Sequence, residues 1–288
     1  MSASPYIADS KRRKLIFFTG KGGVGKTTLV WASANALART GSKVAVASWS
    51  DTTERPRGFP PAVAWIPLET LACFRDYVMQ VVRFERLYDT VFENRVLKTF
   101  VLAAPGLSDT VIAGKILELY RNETYDTIFV DLPSSGHALS FFHSPLGVKR
   151  IFKVGFVHKE TARICEMLGQ DTVRVDLVAL PEELPVVEGI ELKQKLELLH
   201  RFHFGFLHLN QTLPDFQHLR AAPKTPLPPA TSQLIDEYSH RWARQASNRE
   251  LARRMNLPIL ETPRVTAVDE TELIESVTRS LSVTEATR

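Results

Sequence analysis

Gly20-Lys21-Gly22-Gly23-Val24-Gly25-Lys26-Thr27-Thr28 follows the spacing G-x-x-x-x-G-K-[ST]. Each residue type in that spacing has a job on a phosphate chain. The glycines let backbone N–H groups curl round phosphate oxygens, Lys26 reaches the β- and γ-phosphates, and the Thr27 hydroxyl is a ligand for Mg²⁺. The flanks supply the context that the motif needs. Lys14-Leu15-Ile16-Phe17-Phe18-Thr19 is a short apolar run of strand type. After the loop, Leu29, Ala32, Ser33, Ala36 and Leu37 repeat at helical spacing, and Gly41 supplies a stop. Val44-Ala45-Val46-Ala47 then reads as a second buried strand. A strand, a glycine loop and a helix put the phosphates at a helix N-terminus, where backbone dipoles favour negative charge.

Lys21 is not required by an ordinary phosphate loop. With it, the nonapeptide resembles the deviant Walker A loop of the ParA/MinD, nitrogenase iron protein and ArsA-type ATPases. The resemblance implies that Lys26 contacts the nucleotide of its own subunit and that Lys21 reaches across a dimer to the partner's. An extra cation near the leaving phosphate suits a reaction catalysed mainly by positioning and charge stabilisation.

A second stretch distinguishes the branches. Thr127-Ile128-Phe129-Val130-Asp131 is an apolar strand closing on an acid, followed by Leu132-Pro133-Ser134-Ser135-Gly136-His137-Ala138-Leu139. This resembles the switch II segment of the ArsA/guided-entry targeting ATPases, with Asp131, Gly136, His137 and Leu139 in register. An acid at the carboxyl end of such a strand, beside the loop, suits Mg²⁺ held through water. Gly136 fits a loop that re-forms around a γ-phosphate, and His137 is open to two readings, nucleotide sensing or local packing. Leu207-His208-Leu209-Asn210-Gln211 is similar to the family's Val-Asn-Gln element, which implies that Asn210 contacts adenine. By the same resemblance Pro263, in Pro258-Ile259-Leu260-Glu261-Thr262-Pro263, begins the loop that covers the base. The likeness runs from roughly Lys14 to Val265 and is nearest to the short, single-domain bacterial forms, some of which work as paired paralogues. It implies ATP and Mg²⁺ as ligands, a homodimer or a heterodimer with a paralogous ATPase, and a protein or hydrophobic client.

One segment departs from the pattern. The family's switch I carries an aspartate that orients the attacking water, but here Ser48-Trp49-Ser50-Asp51 puts Ser50 in that register and Asp51 one position late. A general base must lie within about 3 Å of the proton it takes, or act through one more water. Slow hydrolysis through Asp51 or a partner is therefore the first expectation. The alternatives are a catalytically weak regulatory subunit of a heterodimer and a ParA/MinD-like positioning ATPase. The last would need a basic or amphipathic terminal element, whereas Asp269-Glu270-Thr271-Glu272-Leu273-Ile274-Glu275 is acidic.

Composition bounds the rest. The chain has 288 residues, 44% of them hydrophobic and 24% charged, which excludes a disordered polymer and allows one large α/β core. The expected fold is a doubly wound, mostly parallel sheet with helices on both faces. Residues 1–13 read as an N-terminal tail and 14–288 as a single domain with a helical insertion at about 68–122. In that insertion Leu71, Phe74, Tyr77, Val78, Val81, Phe84, Tyr88, Val91 and Phe92 form a wide apolar stripe. The stripe suits either a client groove or packing on the sheet. The net charge of +4 is modest, and the basic run Lys11-Arg12-Arg13-Lys14 flanks a strand, so no nucleic-acid partner is expected. No apolar run approaches the ~18 residues of a membrane span, and the N-terminus lacks a signal-peptide core; a cytoplasmic location is the expectation. The cysteines, Cys73 and Cys165, are far apart and lie in helical apolar patterns. They suggest packing rather than a zinc clasp or an iron–sulfur cluster.

Overall fold

The computed structural model describes residues 4–50, 52–81, 106–214 and 228–284. Its strands are β1 (Leu15–Gly20), β2 (Val44–Ser48), β3 (Ala64–Pro67), β4 (Thr127–Asp131), β5 (Val173–Ala179), β6 (Phe204–Thr212) and β7 (Ile259–Pro263). They form one parallel sheet in the order β3-β2-β4-β1-β5-β6-β7. The chain therefore builds outward on one side of β1 and then crosses to the other. Ligand crevices open at the carboxyl ends of strands where the winding reverses in this way.

Both faces of the sheet are covered, which is why β1, β2 and β4 read as nearly continuous apolar runs. Leu15 and Phe17 point to one face, where they join Val130, Phe141 and Phe142 in one core. Ile16 and Phe18 point to the other and join Leu29, Phe129 and Val277. On the first face lie α3 (Thr70–Val81), α4 (Leu107–Arg121), α5 (Ser135–Ile151), α6 (Gly155–Leu168) and α7 (Glu183–Leu199), followed later in the chain by α8 (Pro229–Ala252). The second face is covered by α1 (Pro5–Ser10), α2 (Lys26–Ala38) and α9 (Glu270–Val283). α2 starts at Gly25 in a left-handed conformation and stops before Gly41, which also has positive φ, as its sequence signals require.

Residues 5–10 of the expected tail form α1, capped by the Ser4 hydroxyl, with Pro5 in its first turn. Tyr6 and Ile7 are buried in the core, and Ser4 Oγ donates to the Leu281 carbonyl at 2.8 Å. A helix of six residues carries too little periodicity to stand out in sequence.

The acidic C-terminal helix is committed too. Ile274, Val277 and Leu281 of α9 are buried against α2, and Asn35 of α2 and Arg39, which caps it, both bind Glu275. Its apolar face is occupied within the fold. Cys73, Phe74, Val111, Ile112, Ile116 and Leu117, from the described parts of the helical insertion, are core residues. Phe84, Tyr88, Val91 and Phe92 lie outside the described residues. Cys73 and Cys165 are both buried, and burial pushes the Cys73 thiol up to about 12. No described helix is long and apolar enough to cross a membrane.

Candidate functional site

The loop residues are held by close backbone approach. A Cβ on Gly20 would lie 2.2 Å from the Val178 carbonyl oxygen on β5, and one on Gly25 would lie 2.3 Å from the Asn210 amide nitrogen. Only glycine fits either position. The loop runs through Gly22, Gly23 and Val24 into α2, so the free N–H groups of the helix's first turn, at Lys26, Thr27 and Thr28, face the loop. Lys26 is buried and folds back over this concavity. Its Nζ donates to the Gly20 carbonyl at 3.2 Å and the Lys21 carbonyl at 2.9 Å. Burial lowers its pKa, and the nearby Asp131 carboxylate opposes that shift. A cation hydrogen-bonded to carbonyl oxygens is one that an anionic phosphate can recruit.

Beside it, Thr27 Oγ1 donates to Asp131 Oδ2 at 2.7 Å. Sheet order explains the meeting. β4 lies next to β1 with Asp131 opposite Phe18, so the acid emerges at the level of the loop. Ser48, opposite Asp131 on β2, contributes a second hydroxyl at 3.4 Å. Burial raises the Asp131 pKa, against the lowering effects of Thr27, Lys26 and Ser48. Hydroxyl and carboxylate oxygens without nitrogen or sulfur form a donor set that suits a hard, hydrated cation such as Mg²⁺.

Switch II differs from its expected form. Gly136 and His137 are not in a loop; they sit in the first turn of α5, which starts directly after Ser134. The Ala138 amide already donates to the Ser134 carbonyl at 3.0 Å, so the backbone there is helical. His137 Nε2 lies 3.3 Å from Asp109 Oδ1, and Ser140 and Ser144 donate to the other oxygen of that buried carboxylate. Asp109 thus ties α4 to the start of α5. Trp49, which follows β2, packs edge-on against Phe141 of α5, with ring centroids 5.3 Å apart.

Asn210 also differs. Its Nδ2 donates to the Val24 carbonyl at 2.8 Å and its Oδ1 accepts from the Gln211 amide at 3.0 Å. The side chain therefore braces the phosphate loop in this arrangement. The cause is a register shift between Asn210 and Thr212, where Gln211 takes φ 58°, a strained value for a side chain of that type. The same irregularity turns Gln211 toward a cleft of about 650 Å³ at the ends of β5, β6 and β7. Leu180, Pro181, Arg241, Arg244 and Arg264 also line it. Pro263 is exposed at the end of β7, one residue before Arg264.

Two switch I residues divide. Ser50 spends its hydroxyl locally, donating to the Thr52 carbonyl and accepting from the Thr52 amide. Asp51 lies outside the described residues. Lys21 has a partner within the chain: its Nζ lies 2.8 Å from Glu188 Oε1 on α7. Ser48, Asp109 and Glu188 are the residues that sequence reading passes over. Only Ser48 carried a local signal, a hydroxyl closing an apolar strand; the other two act across the fold.

The chain is similar in sequence to known ATPases. The family model described as anion-transporting ATPase, ArsA type, matches residues 13–52. ATPase BagA of Mycobacterium tuberculosis is 28% identical over 232 residues, covering 70% of this chain and 66% of that protein. A candidate arsenical pump-driving ATPase of Aquifex aeolicus is 29% identical over 189 residues, 59% of this chain and 47% of its own length. ATPase GET3A of Arabidopsis thaliana is 26% identical over 147 residues, 50% and 42% of the two chains. The chain thus spans just under two thirds of the mycobacterial relative and less than half of the other two. In its loop, its parallel sheet and these likenesses, the chain is similar to the ArsA/guided-entry family of P-loop ATPases.

Proposed function

We propose that this chain binds Mg²⁺ and ATP at the loop Gly20–Thr28 and hydrolyses ATP slowly as one half of a dimer. The observation that carries the reading is the convergence of Lys26, Thr27 and Asp131, with Thr27 2.7 Å from the acid and Lys26 folded over the loop's own carbonyls. Lys26 and the loop amides would hold the phosphates, while Thr27 and, through water, Asp131 would hold Mg²⁺. The bound cation supplies charge neutralisation on the phosphate oxygens. The basic cleft beyond Gln211 and Pro263 is the room available to the nucleoside end, and Asn210 links that end to the loop.

Lys21 is the residue offered to a second subunit, identical or paralogous. Gly136 and His137, on a helix start pinned by Asp109, form the segment that nucleotide state would rearrange. Such a change would control a protein or hydrophobic client, as the family resemblance implies. Slow turnover is supported by Ser50 in the register of the expected aspartate, with its hydroxyl spent on a local turn. The same observation favours a second reading, a regulatory subunit that binds ATP without hydrolysing it.

Binding and turnover of three proteins separate the readings. Lys26→Ala is expected to weaken Mg²⁺-ATP binding about 10- to 100-fold, the worth of a charge-assisted contact. Asp51→Asn should retain the wild-type affinity and lose turnover. Equal turnover in wild type and Asp51→Asn excludes that acid as the base. Binding without turnover in either supports the regulatory subunit, and no ATP binding by the wild type overturns both.

A further inference from the structure

We propose that Glu188 is a positioning residue that holds Lys21 inside its own subunit until a second subunit's phosphates take it. The inference rests on the dimeric reading above. Lys21 Nζ and Glu188 Oε1 are 2.8 Å apart although their residues lie 167 positions apart in sequence. Each is the only ion-pair partner of the other among the described residues. Both side chains are 33% exposed, so a partner surface can reach the pair.

The two halves of the contact differ in mobility. Glu188 stands on α7, whose neighbouring Pro185, Val186, Leu192 and Leu196 are buried in the core. A Cβ on the adjacent Gly189 would lie 2.8 Å from Met255 Cε, so the helix is closely seated. Lys21 stands on the phosphate loop, and its own carbonyl accepts from Lys26 Nζ at 2.9 Å. Residue 21 is therefore restrained twice, through its carbonyl by Lys26 and through its ammonium by Glu188. A phosphate that recruits Lys26 removes the first restraint and leaves Glu188 as the second. A solvated ion pair of this kind shifts an equilibrium by about two- to fivefold. That is weak enough for a polyphosphate to displace, because phosphate offers several charged acceptors to one ammonium. In a two-fold dimer both pairs must open, so the factors multiply.

The test is nucleotide-dependent dimerisation of the full chain, measured by sedimentation with Mg²⁺ and a non-hydrolysable ATP analogue. Glu188→Gln is expected to tighten the dimer about 4- to 25-fold, the square of the single-pair factor. Glu188→Asp should restore behaviour close to wild type, and Lys21→Ala/Glu188→Gln should match Lys21→Ala alone. A Glu188→Gln dimer equal to wild type overturns the proposal, as does a shift that persists without Lys21. The last outcome would mean that Glu188 acts on the phosphates by simple repulsion.

If no variant dimerises, the dimeric reading fails, and the hold is then measured in the single subunit. Acylation of Lys21 followed by peptide mass spectrometry should run at least about twofold faster in Glu188→Gln than in wild type, since the ion pair is absent. Equal rates show that Glu188 does not hold the lysine.

Discussion

Lys21→Ala is expected to lower ATP turnover about 10³-fold or more, to the uncatalysed background, on the scale of a cation supplied in trans to a transferring phosphoryl group. ATP affinity should stay within about fivefold of wild type, because the side chain is engaged with Glu188 rather than with its own loop. The contrast with Lys26 gives the prediction its force. Lys26 is buried and donates to two carbonyls of its own loop. Its loss should appear as weaker binding, whereas the loss of Lys21 should appear in kcat. Steady-state turnover at saturating ATP, with a separate binding titration, reads both quantities. If a protein that stays monomeric hydrolyses ATP equally well with and without Lys21, the trans-acting role is excluded.

The candidate site was partly legible in the sequence, and the legible part was local. Gly20–Thr28, the strand before it and the helix after it are consecutive, so their signals reinforce one another. Asp131 could be found because an acid ends an apolar run. What escaped depends on which strands become neighbours. Ser48 reaches Asp131 because β2 pairs with β4, Glu188 reaches Lys21 from a helix far along the chain, and Asp109 meets His137 across two helices. Asn210, expected to contact adenine, has its amide aimed at Val24 by a strand irregularity. A motif indicates that an amide is present at a strand end; the direction it takes is set by the register of the neighbouring strand.

β5 shows the same limit in its physical form. Val173-Arg174-Val175-Asp176-Leu177 alternates like a strand with one wet face, but every residue of β5 is buried. The polar positions pair with one another and with α1, whose helical character was itself hard to read. Arg174 reaches Asp9, Ser10 and Asp176, and its guanidinium lies over the rings of Tyr6 and Phe206. An apparently solvated face is here the socket for an N-terminal helix.

That socket yields the largest expected effect on stability. Arg174→Leu should destabilise the protein by about 3–5 kcal/mol, because it leaves Asp176 charged, buried and without its counter-ion. For a chain of this size the melting temperature should drop by roughly 10 °C. Asp176 Oδ2 is 2.8 Å from Arg174 and 3.4 Å from His208 Nε2, and Oδ1 accepts from the Phe206 amide at 3.0 Å. Burial pushes its pKa up, yet the Arg174 charge and His208 hold it below the usual carboxylate value. In the wild type the group thus stabilises the fold above the unfolded carboxylate value, near ~3.9, and loses that contribution only as pH falls through its lower folded value. Removing Arg174 reverses the sign. The carboxyl is then easier to bury when protonated, so the deficit of the variant should be largest at neutral pH and shrink on acidification. Thermal melts of wild type and variant at pH 7 and at about pH 4.5 give the comparison. Arg174→Leu/Asp176→Leu should recover part of the loss, since no lone charge remains, but not all of it, because the Phe206 amide loses its acceptor. His208 stands two residues before Asn210 on β6, so the same change removes a support from the strand that braces the phosphate loop. A variant that melts with the wild type would mean that Asp176 already finds enough compensation in His208 and the Phe206 amide, and that α1 is held by its apolar contacts and the Ser4–Leu281 hydrogen bond without Arg174.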